Sequence, residues 1–200
     1  MNIREAIHQT EIALRAYLAR DERGMPLIPI ESQRPIYLLG APGVGKTAAA
    51  EEVARRLDVG LVSYTLTHHT RQSALGLPQI VARTFEGREM AVTEYTTSEI
   101  IAGVYRYMEE TGRTRGILFL DEINCVSETL LPAIMELLQH KRFGEQRVPD
   151  GWMIVCAGNP EKFNRSARAF DPVALDRVRV LRVEPDLNAW LKFAVETGVN

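Results

Sequence analysis

The chain has 200 residues, of which 46% are hydrophobic, 25% charged and 7% aromatic, and these proportions exclude a disordered chain, a collagen and a coiled coil. Its 24 basic and 26 acidic residues give a net charge of −2, so nothing in the bulk charge favours binding to nucleic acid. No apolar run approaches the roughly 20 residues that span a bilayer, so we expect a cytoplasmic protein without a membrane partner.

The predicted elements begin with an amphipathic helix. Apolar residues recur at helical spacing over residues 3–20, and the next stretch, residues 24–35, contains three prolines and little periodicity. It therefore reads as an extended connector. Residues 36–39 form a short apolar run that is followed by Gly40, and an alanine-rich helical pattern continues as far as Leu57. This part of the chain predicts a strand, a loop and a helix.

Short apolar runs then alternate with helical patterns. The runs predict further strands at residues 59–66, 117–120, 153–157 and 178–183. Helical patterns between them predict helices at about residues 97–110 and 127–140. The alternation is typical of a doubly wound α/β domain with a parallel sheet.

Two segments interrupt this alternation. Residues 80–95 alternate in character around Glu86 and Gly87, and a glycine there can adopt the positive φ of a tight turn. A β-hairpin is predicted, although an irregular loop would fit the same residues equally well. Residues 142–151 are polar and contain two glycines, which predicts a second, shorter excursion.

Cysteine and histidine give no support for a metal framework. Cys125 and Cys156 lie in or beside apolar stretches, which is typical of reduced core thiols. His68 and His69 are adjacent, so they lack the spacing of a helical metal pair and are interpreted as polar loop residues.

A glycine-rich segment between the first predicted strand and its helix matches the phosphate-binding loop, with glycine, four residues, then Gly45, Lys46 and Thr47. The glycines allow backbone N–H groups to curl around phosphate oxygens at the amino end of the following helix. Lys46 is predicted to contact the β and γ phosphates, and Thr47 to ligate Mg²⁺. The residues predicted to bind the phosphates of a nucleotide are Gly40, Ala41, Pro42, Gly43, Val44, Gly45, Lys46, Thr47 and Ala48.

Two acids, Asp121 and Glu122, end the apolar strand at residues 117–120. Ligands bind at the carboxyl ends of strands in open α/β sheets. Asp121 is predicted to hold Mg²⁺ through its water shell, and Glu122 to polarise the attacking water as a general base. The alternative is that both are solvated acids at the end of a strand.

Asn159 and Arg177 complete a predicted catalytic set with Lys46 and Glu122. Asn159 follows the strand at residues 153–157, where its amide could orient a water or touch the γ phosphate, or could simply form a turn with the next proline. Arg177 precedes the last predicted strand. Its guanidinium could stabilise transition-state charge, or could belong to a surface ion pair.

With these motifs in this order, the sequence resembles an AAA+ ATPase, and more narrowly the MoxR-like branch and the dynein-related AAA subdomain. The motifs that carry the resemblance are LGAPG at 39–43, FLDEIN at 119–124, GNP at 158–160 and LDR at 175–177. The stretch at 67–78 is also similar to a bacterial and phage subgroup, and the whole resemblance covers residues 35–184.

The resemblance implies a P-loop NTPase fold, a three-layer αβα sandwich whose five-stranded parallel sheet has the P-loop strand at its centre. It makes the hairpin at 80–95 an insert that faces a ring pore or a client. It makes Asn159 the sensor 1 residue and Arg177 an arginine finger that acts in trans within a homo-oligomer, usually a hexameric ring.

The implied function is ATP binding and Mg²⁺-dependent ATP hydrolysis that powers chaperone-like remodelling or maturation of a protein client. A von Willebrand factor A domain protein is the implied co-worker. AAA+ modules also carry a helical lid with a second sensor arginine, whereas this chain shows only a helix-like start at residues 187–196. The lid is therefore expected to be largely missing, because the chain is a fragment or because the lid is lost or supplied elsewhere.

The chain is accordingly divided into a helix at 1–24, a linker at 25–34, an ATPase core at 35–184 and the start of a lid or C-terminal helix at 185–200. Three other functions fit parts of the pattern. The first is an assembly or switch protein with little turnover, and the second a DNA-stimulated ATPase using Arg71, Arg83 and Arg88, which the near-neutral charge disfavours. The third is a P-loop kinase, but the pair Asp121 and Glu122 favours hydrolysis over transfer.

Overall fold

The computed structural model describes residues 1–168, 170, 172–189, 191 and 195. The strands are β1 (Ile36–Gly40), β2 (Gly60–Thr65), β3 (Pro78–Phe85), β4 (Arg88–Tyr95), β5 (Gly116–Asp121), β6 (Arg142–Phe143), β7 (Gln146–Arg147), β8 (Trp152–Gly158) and β9 (Arg179–Val183). The α-helices are α1 (Ile3–Leu18), α2 (Lys46–Leu57), α3 (Arg71–Leu75), α4 (Glu99–Thr111), α5 (Leu131–His140) and α6 (Pro172–Asp176). Short 3₁₀ turns occur at Ile30–Ser32, Leu66–His68, Ile123–Cys125 and Glu161–Phe163.

Five strands form one sheet in the order β2-β5-β8-β1-β9, and every neighbouring pair is parallel. This confirms the predicted α/β fold with a five-stranded parallel sheet. The expectation that the P-loop strand is central is wrong, because β8 takes the middle position. Strand β1 has only β9 on one side and three strands, β8, β5 and β2, on the other. Its pairing with β9 runs from Ile36 with Arg179 to Gly40 with Val183.

Alternate residues of the central strands enter two separate cores, as the two-residue period of a strand requires. On β5, Ile117 and Phe119 pack in the core covered by α1 and α2. Leu118 and Leu120 pack in the core covered by α4 and α5. Both faces of the sheet are therefore buried under helices, which accounts for its continuous apolar strands and gives the predicted three-layer sandwich.

The first helix is tied to the rest of the molecule at its amino end. Asn2 caps α1 in a capping box with Glu5, and both polar groups of the Met1 backbone bond to the end of β9. The Met1 amino group donates to Arg182 O at 3.0 Å, and Glu184 N donates to Met1 O at 2.9 Å. Helix α1 thus lies beside the loop between β1 and α2.

The segment predicted as a hairpin or a loop is a hairpin. Strands β3 and β4 pair antiparallel along their whole length, from Pro78 with Tyr95 to Phe85 with Arg88. The connecting residues Glu86 and Gly87 have φ of 50° and 77°, the positive values of a two-residue type I′ turn. The second excursion is a smaller hairpin made by β6 and β7.

A buried lysine joins the connector to the end of α5. Lys141 is 6% exposed, and its Nζ donates to Gln33 Oε1 at 2.8 Å. The Gln33 amide in turn donates to Ile28 O at 2.9 Å. Burial lowers the pKa of Lys141 from 10.5 to about 8, although Asp150 and Glu31 act in the opposite direction.

This shift predicts a pH-dependent contribution to stability. Between pH 8 and 10 the unfolded chain keeps its proton on Lys141 while the folded chain loses it, so the free energy of unfolding rises with pH. We expect wild type to gain about 2 kcal/mol relative to Lys141→Met over this interval. Urea unfolding at both pH values measures it. The exposed Lys162→Met variant should follow wild type, and parallel curves for wild type and Lys141→Met would contradict the prediction.

None of the helices among the described residues is long and apolar enough to cross a membrane. Within the terminal helix expected at 187–196, residues 190, 192–194 and 196 lie outside the described residues.

Candidate functional site

The loop between β1 and α2 depends on its glycines for different reasons. Gly43 and Gly45 have φ of 78° and 91°, values that other residues adopt only at a cost. Gly40 is required by close packing instead, because a Cβ there would lie 2.5 Å from Val183 O on β9. At Gly43 a Cβ would have no heavy atom within 4 Å.

Alanine substitutions should therefore separate the two requirements. Gly40→Ala should lower the free energy of unfolding by about 3 kcal/mol, because the neighbouring backbone oxygen must move. Gly43→Ala should cost only about 1 kcal/mol, the strain of a positive φ. Denaturant unfolding of both variants measures the difference, and equal losses would contradict the assignment of Gly40 to packing.

Lys46 lies at the start of α2 and is buried, with 8% of its surface exposed. Its Nζ donates to Gly40 O at 2.8 Å, Ala41 O at 2.9 Å and Asn159 Oδ1 at 2.8 Å. Burial lowers the pKa of Lys46, while the charge of Asp121 acts to raise it. Because the three acceptors are uncharged oxygens, they leave the ammonium charge available to an anion, and the loop fits a phosphate group.

The acidic pair lies at the end of β5, beside the loop. Thr47 Oγ1 is 3.4 Å from Asp121 Oδ2, to which it donates. Hydroxyl and carboxylate oxygens are ligands that Mg²⁺ prefers, so Thr47 and Asp121 fit the metal that such a loop uses. The other Asp121 oxygen accepts from the backbone N–H of Glu122 at 2.8 Å.

Glu122 has φ of 55°, a left-handed conformation. The extended backbone of β5 therefore ends before Glu122. Its Oε2 accepts a hydrogen bond of 2.6 Å from Thr67 Oγ1, just after β2. The carboxylate is therefore held by a hydroxyl from the neighbouring strand end.

The structure thus brings together most of the predicted site. Lys46, Thr47, Asp121 and Asn159 are joined by side-chain contacts at the carboxyl edge of the sheet, and Glu122 adjoins them. Two residues of this edge had no predicted role, Thr67 and Asn124. A polar residue after a strand was the available signal for Thr67, and Asn124 was visible only as part of a motif.

Arg177 is not part of this cluster. Arg177 precedes β9, near the start of the parallel strands, where Ile36 of β1 pairs with Arg179. The loop begins after Gly40, at the other end of the same strands, where Gly40 pairs with Val183. Four strand residues separate the two positions, about 13 Å. In the portion of the chain that the structure describes, the Arg177 guanidinium has neither an ion pair nor a hydrogen bond.

Two comparisons with known proteins each match a large part of the chain. A sequence model of the family described as "AAA domain" matches residues 30–162. The chloroplastic chaperone protein ClpB2 of Oryza sativa subsp. japonica is 36% identical over 118 residues, a match covering 54% of this chain. The match covers 10% of that relative, so the chain spans about a tenth of its length. The family match includes every predicted site residue except Arg177.

Proposed function

Because the chain belongs to the AAA domain family, we propose that it binds ATP and hydrolyses it in the presence of Mg²⁺. The observation that carries this proposal is the contact between Lys46 Nζ and Asn159 Oδ1, 2.8 Å apart and 113 residues apart in sequence. It joins the phosphate-binding loop to a polar side chain at the end of a neighbouring strand, where a γ phosphate and its attacking water would meet.

Each residue then has a separate part in hydrolysis. The Lys46 ammonium binds the β and γ phosphates, exchanging its two backbone acceptors for charged oxygens while it keeps Asn159 Oδ1. Thr47 and Asp121 would hold Mg²⁺, which when bound neutralises charge on the phosphates. Glu122 accepts a proton from the attacking water. The oxygen of that water bonds to the γ phosphorus, and the bond between the γ phosphorus and the ADP oxygen breaks. The Asn159 amide orients that water or the γ phosphate.

The hydrogen bond from Thr67 engages one oxygen of the Glu122 carboxylate. A carboxylate oxygen engaged by a hydroxyl at 2.6 Å is a weaker partner for water. We propose that Glu122 turns from Thr67 to the water once ATP is bound.

Phosphate release, measured with and without Mg²⁺, tests the proposal directly. Hydrolysis that requires Mg²⁺ supports it, and nucleotide binding without release in any oligomeric state would favour the switch protein instead. An ATPase rate that single-stranded or duplex DNA raises severalfold would favour the DNA-stimulated alternative. Solution mass with and without ATP shows whether nucleotide assembles the chain.

We also propose that the chain acts as a ring in which Arg177 serves the neighbouring subunit's ATP. The position of Arg177 supports this, because it lies at the amino-terminal end of the parallel strands, away from its own loop at their carboxyl end, and its guanidinium has no partner within the described residues. A guanidinium so placed can reach a phosphate only on another copy.

Mixing two inactive variants should test action in trans. Arg177→Ala and Glu122→Gln should each lose at least about 90% of turnover, because each removes a group that stabilises the transition state or accepts the proton. In a ring of both variants mixed equally, about a quarter of the sites pair an intact Glu122 with a neighbour's intact Arg177. Steady-state phosphate release should recover accordingly. No recovery in co-assembled rings would contradict the prediction, and exposed Arg106→Ala serves as the control.

The client-directed part of the function rests on the hairpin and on the resemblance. Ile80 is 81% exposed and Tyr95 62%, and Phe85 and Met90 are each about half exposed. An isolated two-stranded ribbon with such side chains gains stability from a partner. We propose that it contacts a protein client. A MoxR-like role in the cytoplasm, with a von Willebrand factor A domain protein, is proposed from the resemblance alone.

A further inference from the structure

We infer that Asn124 is a positioning residue of the nucleotide site, which holds the backbone of Asn159 so that the Asn159 side chain meets Lys46. The inference rests on the proposed hydrolysis of ATP and assigns a role that none of the sequence motifs required. It follows from the contacts of one buried amide in the turn after β5.

Asn124 is 4% exposed, and its side chain engages both backbone polar groups of Asn159. Asn124 Nδ2 donates to Asn159 O at 2.8 Å, and Asn124 Oδ1 accepts from Asn159 N at 3.3 Å. A primary amide supplies a donor and an acceptor at this spacing, whereas a carboxylate supplies acceptors only. Because one bond is to the backbone N–H and the other to the backbone C=O of Asn159, the two together fix the backbone of this residue on both sides of its Cα.

The same contact explains a glycine just before Asn159. A Cβ on Gly158 would lie 2.4 Å from Asn124 Oδ1 and 2.5 Å from the Tyr37 hydroxyl. The amide can therefore lie against the end of β8 only because residue 158 has no side chain. The backbone of Asn159 is held from one side, and its side chain is free to point towards Lys46.

Asn124 also holds the segment that continues to Arg177. Arg168 N donates to Asn124 O at 2.9 Å, and Asn124 Nδ2 is 3.3 Å from Arg168 O. Arg168 is further anchored by an ion pair with Glu128 at 2.7 Å. A change at Asn159 that displaced Asn124 would therefore reach this second segment through hydrogen bonds.

A buried asparagine can also serve stability alone, because buried polar groups are satisfied whether or not they have a function. The two roles differ in one measurable respect. If Asn124 acts through Asn159, its loss has no further effect on turnover once the Asn159 side chain is absent. If it serves stability alone, its effect is the same with or without that side chain.

The experiment is a double-mutant cycle with Asn124→Asp and Asn159→Ala in the full chain. Asn124→Asp keeps the shape and the acceptor but replaces the donor that faces Asn159 O. We expect kcat to fall about tenfold with KM for ATP changed less than about threefold. In the Asn159→Ala background the same substitution should change kcat less than about twofold. Asn164→Asp is the matched control. Asn164 Nδ2 donates to Cys125 Sγ, next to Asn124 in the chain, at 3.3 Å, and this substitution should leave kcat unchanged.

Losses that multiply in the double variant, or an unchanged kcat for Asn124→Asp, would overturn the inference. If Asn124→Asp does not fold, Asn124→Ser replaces it, because the shorter hydroxyl cannot reach both atoms of Asn159. The cycle is repeated on the dissociation constant of a fluorescent, non-hydrolysable ATP analogue. A wild type that binds this analogue but releases no phosphate defeats the proposed hydrolysis, and the second cycle then decides the role of Asn124 by the same non-additivity. A wild type that binds no analogue defeats both.

Discussion

Glu122→Gln should lower the rate of phosphate release about a thousandfold while ATP still binds, because the substitution removes the proton acceptor and keeps the shape of the side chain. The amide oxygen can still accept the bond that Thr67 donates at 2.6 Å, so the site should remain assembled. Single-turnover phosphate release and binding of a fluorescent ATP analogue measure the two effects separately.

The matched control for this prediction is Glu110→Gln, which removes an exposed carboxylate at the end of α4, away from the loop. It should release phosphate at the wild-type rate. Turnover by Glu122→Gln within about tenfold of wild type would contradict the assignment of Glu122 as general base. Loss of ATP binding in this variant would instead show that Glu122 serves the assembly of the site.

Lys46→Met should weaken ATP binding at least about a hundredfold, the equivalent of losing one charge-assisted hydrogen bond to phosphate. It should change the free energy of unfolding without nucleotide by less than about 1 kcal/mol, because two effects oppose each other. Methionine relieves the cost of burying the ammonium, whose pKa burial lowers. It also leaves Gly40 O, Ala41 O and Asn159 Oδ1 without the Lys46 donor.

Calorimetric titration with ATP and urea unfolding of the same preparation test both halves of this prediction. Lys162→Met, which removes an exposed lysine, is the control and should match wild type in each measurement. A Lys46→Met variant that loses several kcal/mol of stability would show that Lys46 is chiefly structural. Undiminished ATP binding would contradict the proposed function of the loop.

Local patterns predicted most of the elements. The apolar run before Asp121 and the helical spacing after Lys46 are properties of adjacent residues, so β5 and α2 occur within a few residues of where they were expected. The turn at Glu86 and Gly87 was also readable, because the positive φ of a two-residue hairpin favours glycine. Helix α3 was missed, since five residues are too few to show a helical period.

Such local patterns could not predict the order of the strands in the sheet. Every apolar strand of a parallel sheet looks alike in sequence, because each is buried on both faces. The position of β8 in the middle of the sheet, and of β1 beside the edge strand, depends on which strands pair. That pairing is decided by the packing of helices from distant parts of the chain.

The amino-acid sequence by itself determined the glycine-rich loop, the acidic pair after β5 and the alternating α/β architecture, because glycine conformation, charge and periodicity are properties of neighbouring residues. Only the tertiary structure decided which polar groups bond to each other. Its hydrogen bonds join Asn159 to Lys46, Thr67 to Glu122 and Asn124 to Asn159. It also placed Arg177 at the opposite end of the strands from the glycine-rich loop. These are contacts between residues 35 or more positions apart, and such contacts arise from strand order and packing, which no local pattern encodes.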